Sequence, residues 1–358
     1  MDRYWRHATP GSLLSSTVFR RIAKPIVSLT CVAAAVCAYN LALVPLLAAW
    51  APGRAAWVAW MASLPSVSMH ITPFSLVSPM IGLLLVFRTN FSYARFLEGR
   101  LLWGSAVRHC RDAARLATTY LPPSDARAAL LGHLQAWAWL LKAHLRGGRT
   151  RADPSDPTSY RDDPSRDVRS CLPPAQADAL LAAPNRPYVC LLTLTTLLRH
   201  LRGGLPDYAT RRLDEIVVEM GIVAGGCERI LSTPMPLSYT RFTGRSLMVW
   251  LATLPVALWP LMGWATVPAM FVTSYVVLGI DEIGVEIEEP FAILPLQALC
   301  EAVRRDVGIA ETQSAALKAT WPGGMGYEAE AAGAVAALGA MQDGLDYGRP
   351  PPPLAEAR

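Results

Sequence analysis

Thr72, Leu76 and Met80 raise the first chemical question. They recur at i, i+4 and i+8, so on a helix they stack along one face. Several copies around an axis would make a neck of small polar rings followed by apolar ones. Such a neck resists strongly hydrated ions and can gate by dewetting. The same spacing serves plain packing between helices, and spacing alone leaves both readings open. A second constellation is Asp281, Glu282, Glu286, Glu288 and Glu289, five carboxylates within nine residues. Oxygens at this density could take Ca²⁺ or pair with arginines. Ala292, Ile293, Leu294, Pro295 and Leu296 follow and offer no further ligand, which favours ion pairs over a metal. A third feature is Pro234-Met235-Pro236. Two prolines one residue apart cannot continue a helix, so this is a rigid link with a structural role.

Motifs for enzymatic chemistry are missing. The sequence has no GxxxxGK[ST], HExxH or GxSxG. Its six histidines, at 7, 70, 109, 133, 144 and 200, have no metal-ligand spacing and read as surface or core residues. Seven cysteines, at 31, 37, 110, 171, 190, 227 and 300, form no CxxC pair, so neither a disulfide framework nor a zinc site is indicated. The expectation is a protein that is not an enzyme and uses no cofactor, metal or nucleic acid.

The elements that position these residues are set by composition. The chain is 358 residues long, 52% hydrophobic and only 17% charged, against about 25% charged for a soluble domain. Residues 1–25 are a basic N-terminal segment, with Arg3, Arg6, Arg20, Arg21 and Lys24 against Asp2. Residues 26–50 carry no charge and are long enough to span a bilayer. Residues 51–70 hold Trp57 and Trp60, as an interfacial belt does. The apolar run 71–87, with Pro73 and Pro79, passes without a break into the charged amphipathic stretch from Arg88 onward. Together 26–88 are expected to form the first two transmembrane helices.

Residues 89–245 are expected to form a polar inner domain, with helices near 91–121, 125–146, 187–202 and 206–231 by apolar spacing. Within it, 147–174 is rich in proline, aspartate and arginine and reads as a mobile insert. Residues 246–280 contain no Asp, Glu, Lys, Arg or His. One helix of that length would run roughly 52 Å, too long for a core of about 30 Å. Two helices forming a hairpin are expected, broken by Pro255, Pro260 and Pro268 near 263–268. Residues 281–320 return to amphipathic sequence and would complete the inner domain. The Ala-, Gly- and Pro-rich stretch 321–358 reads as a disordered tail. Four spans place the basic flank and the arginine-rich block on one side, a positive-inside pattern.

Three stretches together resemble the bestrophin family, especially its plant and algal branch: SPMIGLLLVFRTNFSYARFLEGRLLW, ILSTPMPLSYTRF and GIDEIGVEIEEPFAILPLQALCEAVRRDV. The N-terminal WRHATPGSLLSSTVFRRI is similar too. The resemblance covers most of residues 1–320. It implies an all-α membrane protein, four transmembrane helices continuous with an inner helical domain, assembled as a homopentameric anion channel. It places neck rings at Thr72, Leu76 and Met80, where animal members carry Ile and Phe. It places a second constriction near Arg211 or Arg212. The clasp aspartates that bind Ca²⁺ in animal members are matched here by Leu294 and Gln297, so Ca²⁺ activation is not implied. Plant-type relatives suggest a thylakoid channel for chloride, with bicarbonate or nitrate as further candidate anions. Two other classes stand beside the passive channel, a secondary anion transporter and a non-conducting membrane scaffold. Against the transporter, the spans hold no ionisable Asp, Glu, Lys, Arg or His and show no clear internal repeat.

Overall fold

The computed structural model describes residues 17–43, 67–147 and 163–320. The basic residues before 17, Trp57 and Trp60, and the expected tail 321–358 lie outside the described residues. Every regular element among the described residues is helical. The chain divides into two compact units.

The first unit comprises Met1–Glu98 and Thr233–Ile293. It contains α1 (Thr17–Ala38), the start of α2 (Thr72–Tyr120), α8 (Leu237–Met262), α9 (Thr266–Glu288) and the single turn α10 (Pro290–Ile293). Side-chain and backbone bonds fix the directions. Near one end of the unit, Cys37 Sγ lies 3.6 Å from the Gly263 carbonyl and Met69 N donates to Val256 O at 3.2 Å. Near the other, Arg21 meets Glu282 at 3.1 Å and Tyr239 Oη donates to Leu84 O at 3.4 Å. Helices α1 and α9 therefore run antiparallel, as do α2 and α8. Ile26, Leu29, Phe74, Ile81, Leu251 and Met270 form the core between them. Each such side chain contributes about 1.5–3 kcal/mol when fully buried. Asn40 closes the unit at the Cys37 end. Its side chain donates to Val67 O at 3.1 Å and accepts from Val67 N at 2.9 Å.

The charge-free run 246–280 is divided between two helices, at the turn Gly263–Ala265. The device that divides it differs from the expectation. Pro255 and Pro260 lie inside α8 without ending it. Proline in an apolar helix is tolerated where neighbours satisfy the freed carbonyls. The turn comes at Gly263, whose φ of +52° suits a residue without Cβ. Pro268 falls in the first turn of α9, where its missing N–H costs nothing. Both helices also reach past the charge-free run at their polar ends.

The second unit comprises Gly99–Ser232 and the chain from Leu294 onward. It contains the rest of α2, α3 (Asp125–Arg146), α4 (Pro164–Arg169), α5 (Pro174–Ala182), α6 (Arg186–Leu201), α7 (Asp207–Ser232) and α11 (Leu296–Thr320). Helix α3 is its axis. It is buried on nearly all sides, its Leu, Ala and Trp side chains together with Arg127, His133, Lys142 and Arg146. Ser124 caps its start by accepting from Arg127 N at 3.3 Å, and Gly147, at φ +61°, ends it. Helices α6, α7 and α11 pack around it. The stretch expected to be a mobile insert, 147–174, departs from that expectation in its second part. Residues Pro164–Arg169 are helical, and Val168 and Leu172 are buried. Gly132 permits this, since a Cβ there would lie 2.6 Å from the Cys171 carbonyl oxygen. Two apolar residues among many charged ones, too sparse for a pattern, hold the segment down.

Candidate functional site

Helix α2 begins at Thr72 and continues through Pro79 without a break. Phe74, Ile81 and Leu85 turn into the core of the first unit. Thr72, Leu76 and Met80 lie on an exposed face, with Leu76 68% and Met80 66% accessible. The spacing thus puts all three on a part of the helix that its own chain leaves open. The Thr72 hydroxyl lies 2.6 Å from His70 Nδ1, and the Thr72 backbone N–H donates to the same nitrogen at 3.3 Å. His70 caps the helix, a role its isolated position in the sequence did not signal.

The acidic cluster is largely helical. Asp281, Glu282, Glu286 and Glu288 lie on α9, and Glu289 follows it. Asp281 accepts from the buried Arg88 guanidinium, and Glu282 pairs with Arg21. A buried arginine stripped of its carboxylate partner would be costly, so Arg88 and Asp281 fix the register of α2 against α9. Gly284 brings the two helices close, with Thr89 Cγ2 only 3.5 Å from where a Cβ would stand. Arg95 adds backbone contacts, from Nε to Glu288 O at 3.3 Å and from Nη1 to Thr233 O at 2.6 Å. Of the two paired arginines, Arg88 opens the basic block that the sequence singled out, and Arg21 comes from the N-terminal segment. Among the described residues, no group of three or more His, Cys, Asp or Glu could hold a metal ion.

In the second unit, Arg211 and Arg212 are exposed near the start of α7. With Asp207, Tyr208 and Glu215 they line a shallow cavity of about 350 Å³. Their electrostatics differ from a simple ring of positive charge. Arg212 lies 3.1 Å from Glu215 Oε2 and 3.6 Å from Glu219 Oε1. Glu219 in turn faces His109 Nδ1 at 2.9 Å, and His109 Nε2 lies 3.3 Å from Arg108 Nη2. A guanidinium always donates, so Nε2 accepts and Nδ1 carries the ring proton. Arg212 is largely neutralised by carboxylates.

The sequence profile described as Bacterial/Fungal Bestrophin protein matches residues 2–308. The chain belongs to the bestrophin family. It is 31% identical over 309 residues to voltage-dependent chloride channel 1, chloroplastic, of Arabidopsis thaliana, covering 85% of this chain and 68% of the relative. It is 32% identical over 252 residues to a voltage-dependent anion channel-forming protein of Nostoc, covering 67% of this chain and 78% of that one. A crystal structure of a bacterial bestrophin homologue from Klebsiella pneumoniae superposes with a TM-score of 0.68 at 27% identity, covering 83% of this chain and 99% of that one.

Two cations in this bestrophin occupy places that motif reading missed. Lys142 Nζ donates to Gln297 Oε1 at 2.7 Å and lies 4.7 Å above the Trp139 ring. Arg146 Nη2 donates to the Leu294 carbonyl at 3.2 Å. Both cations are buried. Leu294 and Gln297, which the resemblance sets against clasp aspartates, each receive here a hydrogen bond from a side-chain cation. Lys142 and Arg146 come from α3, more than a hundred residues away in sequence, so no local pattern could have paired them.

Proposed function

We propose that this bestrophin is an integral membrane anion channel. It conducts chloride, and bicarbonate or nitrate as further permeant anions, through an axial pore formed by five copies. The four apolar helices of the first unit cross the membrane. The observation that carries this reading is the open face of α2. Thr72, Leu76 and Met80 stack there, on a helix whose opposite face is already packed. Around a five-fold axis they form a neck with a polar ring at the mouth and two apolar rings behind it. The helix also begins at Thr72, so five positive helix termini would surround the mouth and favour anions. Arg211 adds positive charge at an inner constriction more effectively than Arg212, whose charge is balanced. Two Arabidopsis relatives named as chloroplastic chloride channels support a chloroplast location, and within it the thylakoid membrane is the proposed site.

The test is current across a planar bilayer holding the purified protein under a potassium chloride gradient. A reversal potential near the chloride equilibrium value is expected, and replacing chloride by bicarbonate or nitrate then ranks the anions. Reversal near the potassium value overturns the selectivity. Replacing Leu76 or Met80 by Ser is expected to change the conductance with assembly intact. Unchanged current in both variants removes the neck assignment.

A further inference from the structure

We infer that His70 is a proton-sensing residue at the mouth of the neck, and that protonating it raises the anion current. Neutral, it caps the pore helix. Protonated, it gives up that cap and adds positive charge to the anion path. The inference rests on the channel reading above.

The chemistry follows from one nitrogen facing two groups of one residue. Nδ1 of His70 accepts from the Thr72 backbone N–H at 3.3 Å and lies 2.6 Å from the Thr72 hydroxyl. A backbone N–H can only donate, so Nδ1 carries a lone pair and the ring is the neutral tautomer with its proton on Nε2. The Thr72 hydroxyl then donates its hydrogen to Nδ1. An imidazolium has no acceptor left. On protonation the Thr72 N–H loses its partner, in a helix turn whose amides have no internal one. The hydroxyl reverses, accepting from Nδ1–H and turning its own hydrogen away from the ring. Thr72 is the polar ring of the neck, so its oxygen lone pairs give way to an O–H donor toward the path. Both changes favour an anion.

Among the described residues, the elements around His70 bring no opposing charge to this end of the unit. His70 is exposed, and Asn40, bonded to Val67, and Val256, bonded to Met69, are the neighbours that hold its segment. Residues 246–280 of α8 and α9, 26–43 of α1 and the turn after it, and 71–87 of α2 contain no Asp, Glu, Lys, Arg or His. Cys37 and Tyr39 are the titratable side chains at this end of α1. Arg21, Arg88, Asp281 and Glu282 lie at the other end of the same helices. Histidine is the side chain that changes charge between about pH 5 and 8.

The test uses the full-length protein in a planar bilayer with equal potassium chloride on both sides. Each side is acidified in turn from roughly pH 8 to pH 5, the range over which histidine titrates. Wild-type current is expected to rise several-fold on acidifying one side only. His70→Asn keeps a capping oxygen without a titrating group, and should conduct as wild type does at high pH and stay flat. His70→Arg should conduct at the acid level throughout. A wild-type current indifferent to pH on both sides, or an acid response retained in His70→Asn, overturns the inference and leaves the channel standing. Silence of the wild type at every pH overturns both.

Discussion

The two halves of helix α2 bury the same kind of stripe and expose opposite kinds of surface. In the first half Phe74, Ile81, Leu85, Arg88 and Ser92 turn inward at intervals of three, four or seven. In the second half Trp103, Ala106, Cys110, Ala113 and Ala117 do the same. The outward faces differ. The first half exposes Leu76, Met80, Leu83, Val86 and Phe87. The second exposes Arg100, Arg108, Arg111 and Arg115, and Arg111 reaches Asp306 at 3.0 Å. Inward residues of either half only say that a helix packs. The outward residues say against what, since an apolar outer face needs lipid or another copy and an arginine face needs water.

The largest expected effect breaks the second half's neighbourhood. Trp137 is fully buried in the second unit, and Trp137→Ala should cost about 3–5 kcal/mol, seen as a lowered melting temperature of the detergent-solubilised protein. Leu76→Ala, on the open face, should leave that melting temperature unchanged. Equal losses would erase the distinction between the two surfaces. Next comes the charged seam of the first unit. Arg88→Met leaves Asp281 without its guanidinium and should cost about 3 kcal/mol, whereas the double change with Asp281→Leu should recover most of it. A thermal-melt cycle with no recovery would show that Arg88 acts through packing alone.

Two glycines sharpen the contrast at smaller scale. Gly132→Ala drives a methyl into the Cys171 carbonyl and should cost about 1–3 kcal/mol. At Gly82 nothing lies within 4 Å of an added Cβ, so Gly82→Ala should be neutral or gain up to about 1 kcal/mol from helix propensity. The smallest effect is a pH slope. Burial holds the pKa of His133 below the usual histidine value, against the Ala129 carbonyl at 2.7 Å, which favours the charged ring. The unfolded chain therefore takes up this proton first as pH falls. Stability should decline below about pH 6.5 and level off beneath the lowered folded value. His133→Gln should flatten that part of the melting-temperature profile.

Much of this architecture is written in local pattern. A run without charge from 246 to 280 announces two helices, and the i, i+4, i+8 spacing announces a shared face for Thr72, Leu76 and Met80. The acidic cluster was readable as a set of ion pairs, and Asp281 and Glu282 are paired. What stayed hidden depended on partners far away in sequence. Pro255 and Pro260 read as breaks because their tolerance is granted by neighbouring helices. Val168 and Leu172 were lost among charges because their burial needs Gly132 to make room. His70 gave no signal, since a lone histidine acquires its cap only where the next helix starts.

Lys142 and Arg146 carry one more consequence. The positive charge that steadies Gln297 and the Leu294 carbonyl is attached to the chain by covalent bonds. It cannot be diluted, chelated or exchanged, as a soluble divalent ion can. A chelator should therefore leave the hydrogen-exchange protection of this part of the molecule untouched.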